Sequence, residues 1–198
     1  MELDVAAYLA ARGDTLTFVR HLLTRTAERP PHLGCFGLHE WAMVYRLTPD
    51  EVRHQAIGLR VTPSEVAEVV EGHDIRCSHY DAFRFFTPEA RVRNVLKPDA
   101  ETHPQMEQPG CLHGGAMDLY RWAFKLDPGV PGDLLLDAFD IARRARILDM
   151  RSSPYDVRPL GLSNIAIETA DGKAEHVAEQ RAIATAAAPV RTAHHGHR

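Results

Sequence analysis

Each of the three cysteines precedes a histidine by two to four residues. The pairs are Cys35 with His39, Cys77 with His79, and Cys111 with His113. Imidazole binds zinc and iron, and it also exchanges protons near neutral pH. Metal ligands often come from separate segments of a chain. We therefore expect these three segments to converge, with His39, His79 and His113 as metal ligands and divalent iron or zinc as the cofactor.

An acidic residue follows each of these histidines, and aromatic residues and an arginine complete each segment. The carboxylates can ligate a metal, or they can fix the tautomer of a histidine that acts as acid or base. Neighbouring aromatic rings exclude water and so strengthen electrostatic interactions. The candidate catalytic acids are Glu40, Asp81 and Asp118, and the candidate substrate-binding residues are Trp41, Arg46, Arg84, Arg121 and Trp122.

A structural role for the same residues is the alternative. Unpaired cysteine is often buried as a small hydrophobe, and a nearby histidine can simply bond a backbone carbonyl in the core. The chain has no Cys-x-x-Cys motif, and Met43 stands where a His-Glu-x-x-His motif beginning at His39 requires its second histidine. A non-catalytic binding module with structural histidines therefore stays open.

Composition predicts one globular domain over residues 1–190, followed by a disordered histidine-rich tail over 191–198. The net charge of −4 argues against a protein whose main task is binding a phosphate backbone. A small-molecule substrate is therefore the favoured partner and DNA the less favoured one. The sequence shows no apolar run that would span a membrane and no signal peptide, and three cysteines suggest free thiols. We expect a cytoplasmic protein with no membrane partner.

Hydrophobic periodicity predicts a mainly α (α+β) fold, a compact helical single domain with one or two short strands. Thr62, Pro63 and Glu65 form a helix-start signature, and Ile165–Thr169 alternates as a strand does. The other predicted helices are Asp14–Arg29, His39–Leu47, a short one from Thr87, Met117–Leu126, Pro131–Met150 and Lys173–Ala188.

Four strings resemble a bacterial family whose members often carry the automatic label 3-methyladenine DNA glycosylase. They are GLHEWAMVYR at residues 37–46, RCSHYDAFRFFTP at 76–88, QPGCLH at 108–113, and LDMR with SPYD at 148–156. The resemblance covers roughly residues 12–190. Longer relatives have a further N-terminal region, which we expect this chain to lack.

The resemblance implies excision of alkylated purine bases from DNA. Glycosylases of the helix-hairpin-helix class use an aspartate that follows a helix, and Asp149 is the candidate here. Two enzymatic hypotheses thus stand beside the binding module. The first is an enzyme with a His/carboxylate site lined by aromatic residues and acting on a small substrate, and the second is a DNA glycosylase.

Overall fold

The computed structural model describes residues 3–54 and 56–196, without the side chains of residues 103 and 194–196. It is 57% helical with about 1% strand, which confirms the mainly α prediction. The helices are α1 (Val5–Ala27), α2 (Leu38–Ala42), α3 (Pro63–Glu71), α4 (Tyr80–Phe83), α5 (Pro88–Arg91), α6 (Asp118–Lys125), α7 (Gly132–Ser152) and α8 (Ala170–Gly196). A π-helical turn spans His113–Met117, and 3-10 turns span His103–Gln105 and Arg158–Leu160.

Local capping sets the start of α3. The Thr62 hydroxyl accepts a hydrogen bond from the Glu65 amide, and the Glu65 carboxylate accepts one from the Thr62 amide. This is the capping box that the sequence predicts, with Pro63 at the first helical position. Gly72 is the C-cap, and its amide donates to the Glu68 carbonyl.

Helix α1 begins ten residues earlier than the sequence predicts. Asp4, rather than Asp14, is the N-cap, and its carboxylate accepts a hydrogen bond from the Ala7 amide at 3.0 Å. Asp14 lies inside the helix. The first turns of α1 lie on the surface, with Val5 and Leu9 exposed, so no apolar periodicity signals the helix before Leu16.

The predicted strand at 165–169 is wrong. Ile165 and Ile167 are both buried, as alternation requires, but their segment pairs with no strand in the described chain. The Ile165 amide instead donates to the Arg151 carbonyl at the end of α7. The extended pairing found in the described residues is one isolated antiparallel bridge between Leu59 and Tyr155.

Helix α8 continues through Pro189 to Gly196, so residues 191–196 are helical where we predicted a disordered tail; residues 197 and 198 lie outside the described part. Pro189 removes one helical N–H. Burial of Ala187, Val190 and Arg191 keeps the helix in place, and the Arg191 guanidinium donates to the Gly115 carbonyl at 2.6 Å.

Helix α7 is central to the fold because it packs against α6, α8 and the π-helical turn. Its buried face carries Ala138, Ala145 and Leu148, and also one acid, Asp149. The core around it includes Trp41, whose indole donates to the Ser152 carbonyl at 2.9 Å. No described helix is long and apolar enough to cross a lipid bilayer.

Candidate metal centre

The three predicted histidines meet at one place. The ring centroid of His113 lies 4.5 Å from that of His39 and 5.1 Å from that of His79. His39 is held by α2, His79 is the N-cap of α4, and His113 opens the π-helical turn. A π-helical turn is rare and often occurs at a functional site. The three Cys–His segments therefore surround a common centre.

Asp149 of α7 reaches the same centre and contacts His39. The Nε2 atom of His39 lies 2.8 Å from Oδ1 of Asp149. His39 is 7% exposed and Asp149 is fully buried, yet neither atom has a hydrogen-bond partner among the described residues, because the contact lacks hydrogen-bond alignment. The two buried polar atoms thus form a close contact whose geometry falls short of an aligned hydrogen bond.

Arg146 joins Asp149 to a second carboxylate. Its guanidinium donates to Oδ2 of Asp149 at 2.9 Å and to Oε1 of Glu40 at 3.0 Å. Glu40 Oε1 in turn lies 4.0 Å from His39 Nε2. One arginine therefore fixes the positions of both acids beside His39.

Burial and neighbouring charges determine the protonation of these groups. Burial opposes a charged His39, but the Asp149 and Glu40 carboxylates outweigh it and raise the pKa of His39. Burial, and then the charge on His39, lower the pKa of His113 to about 3. Burial and the charge of Asp149 raise the pKa of Glu40. His113 is thus neutral near pH 7, with a ring nitrogen available to a cation.

His79 belongs to a second group of side chains on the other side of His113. Its Nε2 atom lies 3.0 Å from Oδ2 of Asp118, and its Nδ1 atom accepts a hydrogen bond from the Ala82 amide at 3.3 Å. The proton is therefore on Nε2, and His79 donates it to Asp118. Both ring nitrogens are engaged, which favours a positioning role for His79 over the ligand role that we hypothesised.

Glu107 completes this second group. Its side chain is fully buried, Oε1 accepts a hydrogen bond from the Ser78 hydroxyl at 2.5 Å, and Oε2 has no partner among the described residues. Burial raises the pKa of Glu107 to about 7, although His79 and Ser78 act to lower it. Asp81 lies farther out, where it contacts Arg121, and Arg121 also lies 3.5 Å from Asp118.

Two cavities flank the centre. A small one of about 20 Å³ is lined by all three cysteines together with His39 and His113. A larger one of about 140 Å³ is lined by Glu40 and Arg146, with Ile57, Met150 and Tyr155. The small cavity has room for about one water molecule, whereas the larger one can admit a small organic molecule.

Several predicted substrate-binding residues lie elsewhere. Trp41 is fully buried in the core, and Arg46 is exposed and pairs with Glu71. Arg84 pairs with Asp81 at the surface.

Trp122 lines a separate cavity of about 730 Å³ between α1 and α6, with Phe18 and Lys125. We call His39, His79 and His113 with their contacting acids the histidine cluster. Among the predicted substrate-binding residues in the described chain, Arg121 is the one that contacts it, through Asp118.

Sequence reasoning missed Glu107 and Arg146. Glu107 lies in a loop with no motif around it. Arg146 stands three residues before Asp149 on α7. This spacing brings two side chains together on a helix, so the sequence did contain a signal for Arg146.

Helix α8 also contributes polar contacts near the centre. The His176 ring lies 2.7 Å from the Ser152 hydroxyl, and the Gln180 side chain donates a hydrogen bond to the Gly110 carbonyl at 2.7 Å.

Two groups in the described chain have the composition and spacing of metal ligands. The first is His39, His113 and Asp149, and the second is His79, Glu107 and Asp118. In each group, one ligand atom from each residue lies within 4.8 Å of the others. Comparisons with models of known families, with curated proteins and with solved structures found no match.

Proposed function

We propose that the protein is a metal-dependent enzyme that binds a divalent cation, zinc or iron, through His39, His113 and Asp149 and acts on a small molecule. The observation that carries the proposal is the contact between His39 Nε2 and Asp149 Oδ1. Both atoms are buried, they lie 2.8 Å apart, and neither has a hydrogen-bond partner in the described chain.

The spacing of these two atoms supports a shared ion. Ligands about 2.0 to 2.2 Å from one metal lie about 3 Å apart at the right angle of octahedral coordination and about 3.4 Å apart at the tetrahedral angle of zinc. A buried ion pair, by contrast, needs an aligned hydrogen bond to offset the desolvation of both charges. The misaligned contact of His39 with Asp149 is therefore better explained by two ligands of a cation than by an ion pair alone.

The ligand chemistry supports zinc or iron. Two imidazoles and one carboxylate are typical of catalytic zinc sites and of non-haem iron sites, which keep coordination positions open. The neutral state of His113 suits this role, since a protonated imidazole cannot ligate. A cation held in this way supplies a Lewis acid and acidifies a bound water.

The surrounding residues support catalysis on a small substrate. Glu40 lines the 140 Å³ cavity and lies beside His39, so its carboxylate can accept a proton from, or return one to, a molecule bound there. Arg146 holds the Glu40 carboxylate in place. Ile57 and Met150 give the same cavity an apolar wall that binds carbon groups and limits water.

Metal analysis of purified protein tests this proposal. The tail histidines would bind metal nonspecifically, so every variant should also carry His194→Asn, His195→Asn and His197→Asn. We expect protein purified without added metal to contain zinc or iron near stoichiometry. We expect metal-free protein to bind Zn²⁺ in calorimetry, with His113→Asn weakening that binding at least about 100-fold.

The matched control is His21→Asn on the exposed surface of α1, which should bind Zn²⁺ like the parent. Absence of stoichiometric metal in the parent, together with a His113→Asn variant that differs only in melting temperature, would contradict the proposal. The histidines would then have a structural role.

The glycosylase hypothesis has weaker support. Asp149 is fully buried between His39 and Arg146, where a flipped nucleotide has no direct access to its carboxylate. The net charge of −4 also disfavours a DNA backbone as the main partner. This function stays a hypothesis, which DNA-binding measurements with an abasic analogue test.

A further inference from the structure

Glu107 is a fully buried carboxylate whose Oε2 atom has no hydrogen-bond partner in the described chain. The Oε1 atom of Glu107 accepts a hydrogen bond from the Ser78 hydroxyl. The Arg29 guanidinium donates to the backbone carbonyl of Glu107 at 2.8 Å, and not to the Glu107 carboxylate. Removing a carboxylate oxygen from water without a partner is costly. A cation bound at Oε2 would remove this cost.

The fold keeps this oxygen against the π-helical turn. A Cβ atom added to Gly114 would lie 1.2 Å from Glu107 Oε2, so only glycine leaves room for the carboxylate there. Gly114 follows His113, and the His113 ring stacks on His79. The Glu107 carboxylate thus lies next to these histidines, and one of its oxygens is within 4.8 Å of a ligand atom of His79 and of Asp118.

The acids around the cluster differ in whether an arginine contacts them. Four buried or nearly buried acids lie around the cluster: Glu40, Glu107, Asp118 and Asp149. Arg146 contacts two of them and Arg121 contacts a third. No arginine or lysine in the described chain forms a salt bridge with Glu107. Glu107 is thus the one acid of these four that has no arginine contact among the described salt bridges.

We propose that a second divalent cation binds between Glu107 and Asp118, with His79 holding Asp118 in position. Carboxylate oxygens select a hard cation such as Mg²⁺ or Mn²⁺, which keeps several waters. The Nε2 atom of His79 donates a hydrogen bond to Asp118, and its Nδ1 atom accepts one from the Ala82 amide. His79 therefore orients the Asp118 carboxylate, which is the ligand. This site goes beyond the proposed function and does not require the first cation.

Titration with Mn²⁺ tests the second site. Metal-free protein with the three tail histidines replaced is titrated, and free Mn²⁺ is followed by electron paramagnetic resonance. We expect two equivalents to bind to the parent and one to Glu107→Gln, which has the same shape but is a poor ligand. His113→Asn should also retain one equivalent, because it removes a ligand of the first site only. Circular dichroism checks folding, and Asp118→Asn replaces Glu107→Gln if the latter does not fold.

The matched control is Glu168→Gln, because Glu168 is a partly buried acid paired with Arg60 away from the cluster. It should retain two equivalents. A parent that binds one equivalent, lost in His113→Asn and kept in Glu107→Gln, overturns the second site and leaves the proposed function standing. Two equivalents in Glu107→Gln overturn the ligand assignment. A parent that binds no Mn²⁺ overturns the second site, while the Zn²⁺ titration decides separately on the first.

Discussion

His39 Nε2 and Asp149 Oδ1 lie 2.8 Å apart in the protein interior without forming a hydrogen bond. The two residues are 110 positions apart in the chain, and α2 and α7 bring them together. If both residues bind one cation, that cation should stabilise the folded protein, and loss of Asp149 should remove the stabilisation.

Asp149→Asn should abolish stabilisation by metal. In the parent protein, Zn²⁺ that binds only the folded state should raise the melting temperature, and the gain should grow with the logarithm of the Zn²⁺ concentration once this exceeds Kd. The amide is a poor ligand, so the variant should melt at the same temperature with and without Zn²⁺. Differential scanning fluorimetry measures both proteins. Asp140→Asn on the exposed side of α7 is the matched control and should respond to Zn²⁺ like the parent. An equal response in Asp149→Asn would remove Asp149 from the ligand set.

Gly114→Ala should destabilise the protein strongly. Its Cβ atom would overlap Glu107 Oε2, and overpacking of a buried site costs about 1 to 3 kcal/mol. Urea denaturation followed by circular dichroism measures the free energy of unfolding. Gly132→Ala is the matched control, because no atom lies within 4 Å of the new Cβ at the start of α7. It should change the free energy of unfolding by less than about 0.5 kcal/mol. Equal stability of the two variants would show that the Glu107 carboxylate is not pressed against Gly114.

The three cysteines should react slowly with thiol reagents. They are free, each is partly buried, and burial raises the pKa of all three thiols. A raised pKa leaves less thiolate at pH 8 than an ordinary cysteine has, and the thiolate is the reactive form. Ellman's reagent should therefore modify native protein slowly, and it should modify all three thiols rapidly in urea. Immediate modification of Cys111 in native protein, with loss of metal binding, would instead mark it as a reactive group.

Duplex DNA should bind weakly, and its affinity should change little with salt. A chain with a net charge of −4 neutralises few phosphates, so few counterions are released on binding. Fluorescence anisotropy with a duplex that contains an abasic analogue, at two salt concentrations, measures both properties. Tight binding with a steep salt dependence would favour the glycosylase function over the metal-dependent enzyme.

The sequence by itself determined much of the helical structure. The capping box of Thr62 and Glu65, the proline at the start of α5 and the apolar stripe of α7 are local signals, because a helix is closed by hydrogen bonds between residues close in the chain. Residue types also identified His39, His79 and His113 as chemically capable. Local signals failed at the start of α1, where the exposed first turns have no apolar face, and at Ile165 and Ile167, where alternation reported burial rather than strand pairing.

Only the tertiary structure decided which groups meet. Glu107 comes from a loop without a motif, and it reaches the cluster because Gly114 leaves space for its carboxylate. Asp149 faces His39 because the Trp41 indole of α2 bonds the Ser152 carbonyl at the end of α7. His79 directs its two ring nitrogens at Asp118 and Ala82 because it caps α4. Contacts between residues 29 to 110 positions apart depend on helix packing, which hydrophobic periodicity constrains to a face but not to a partner.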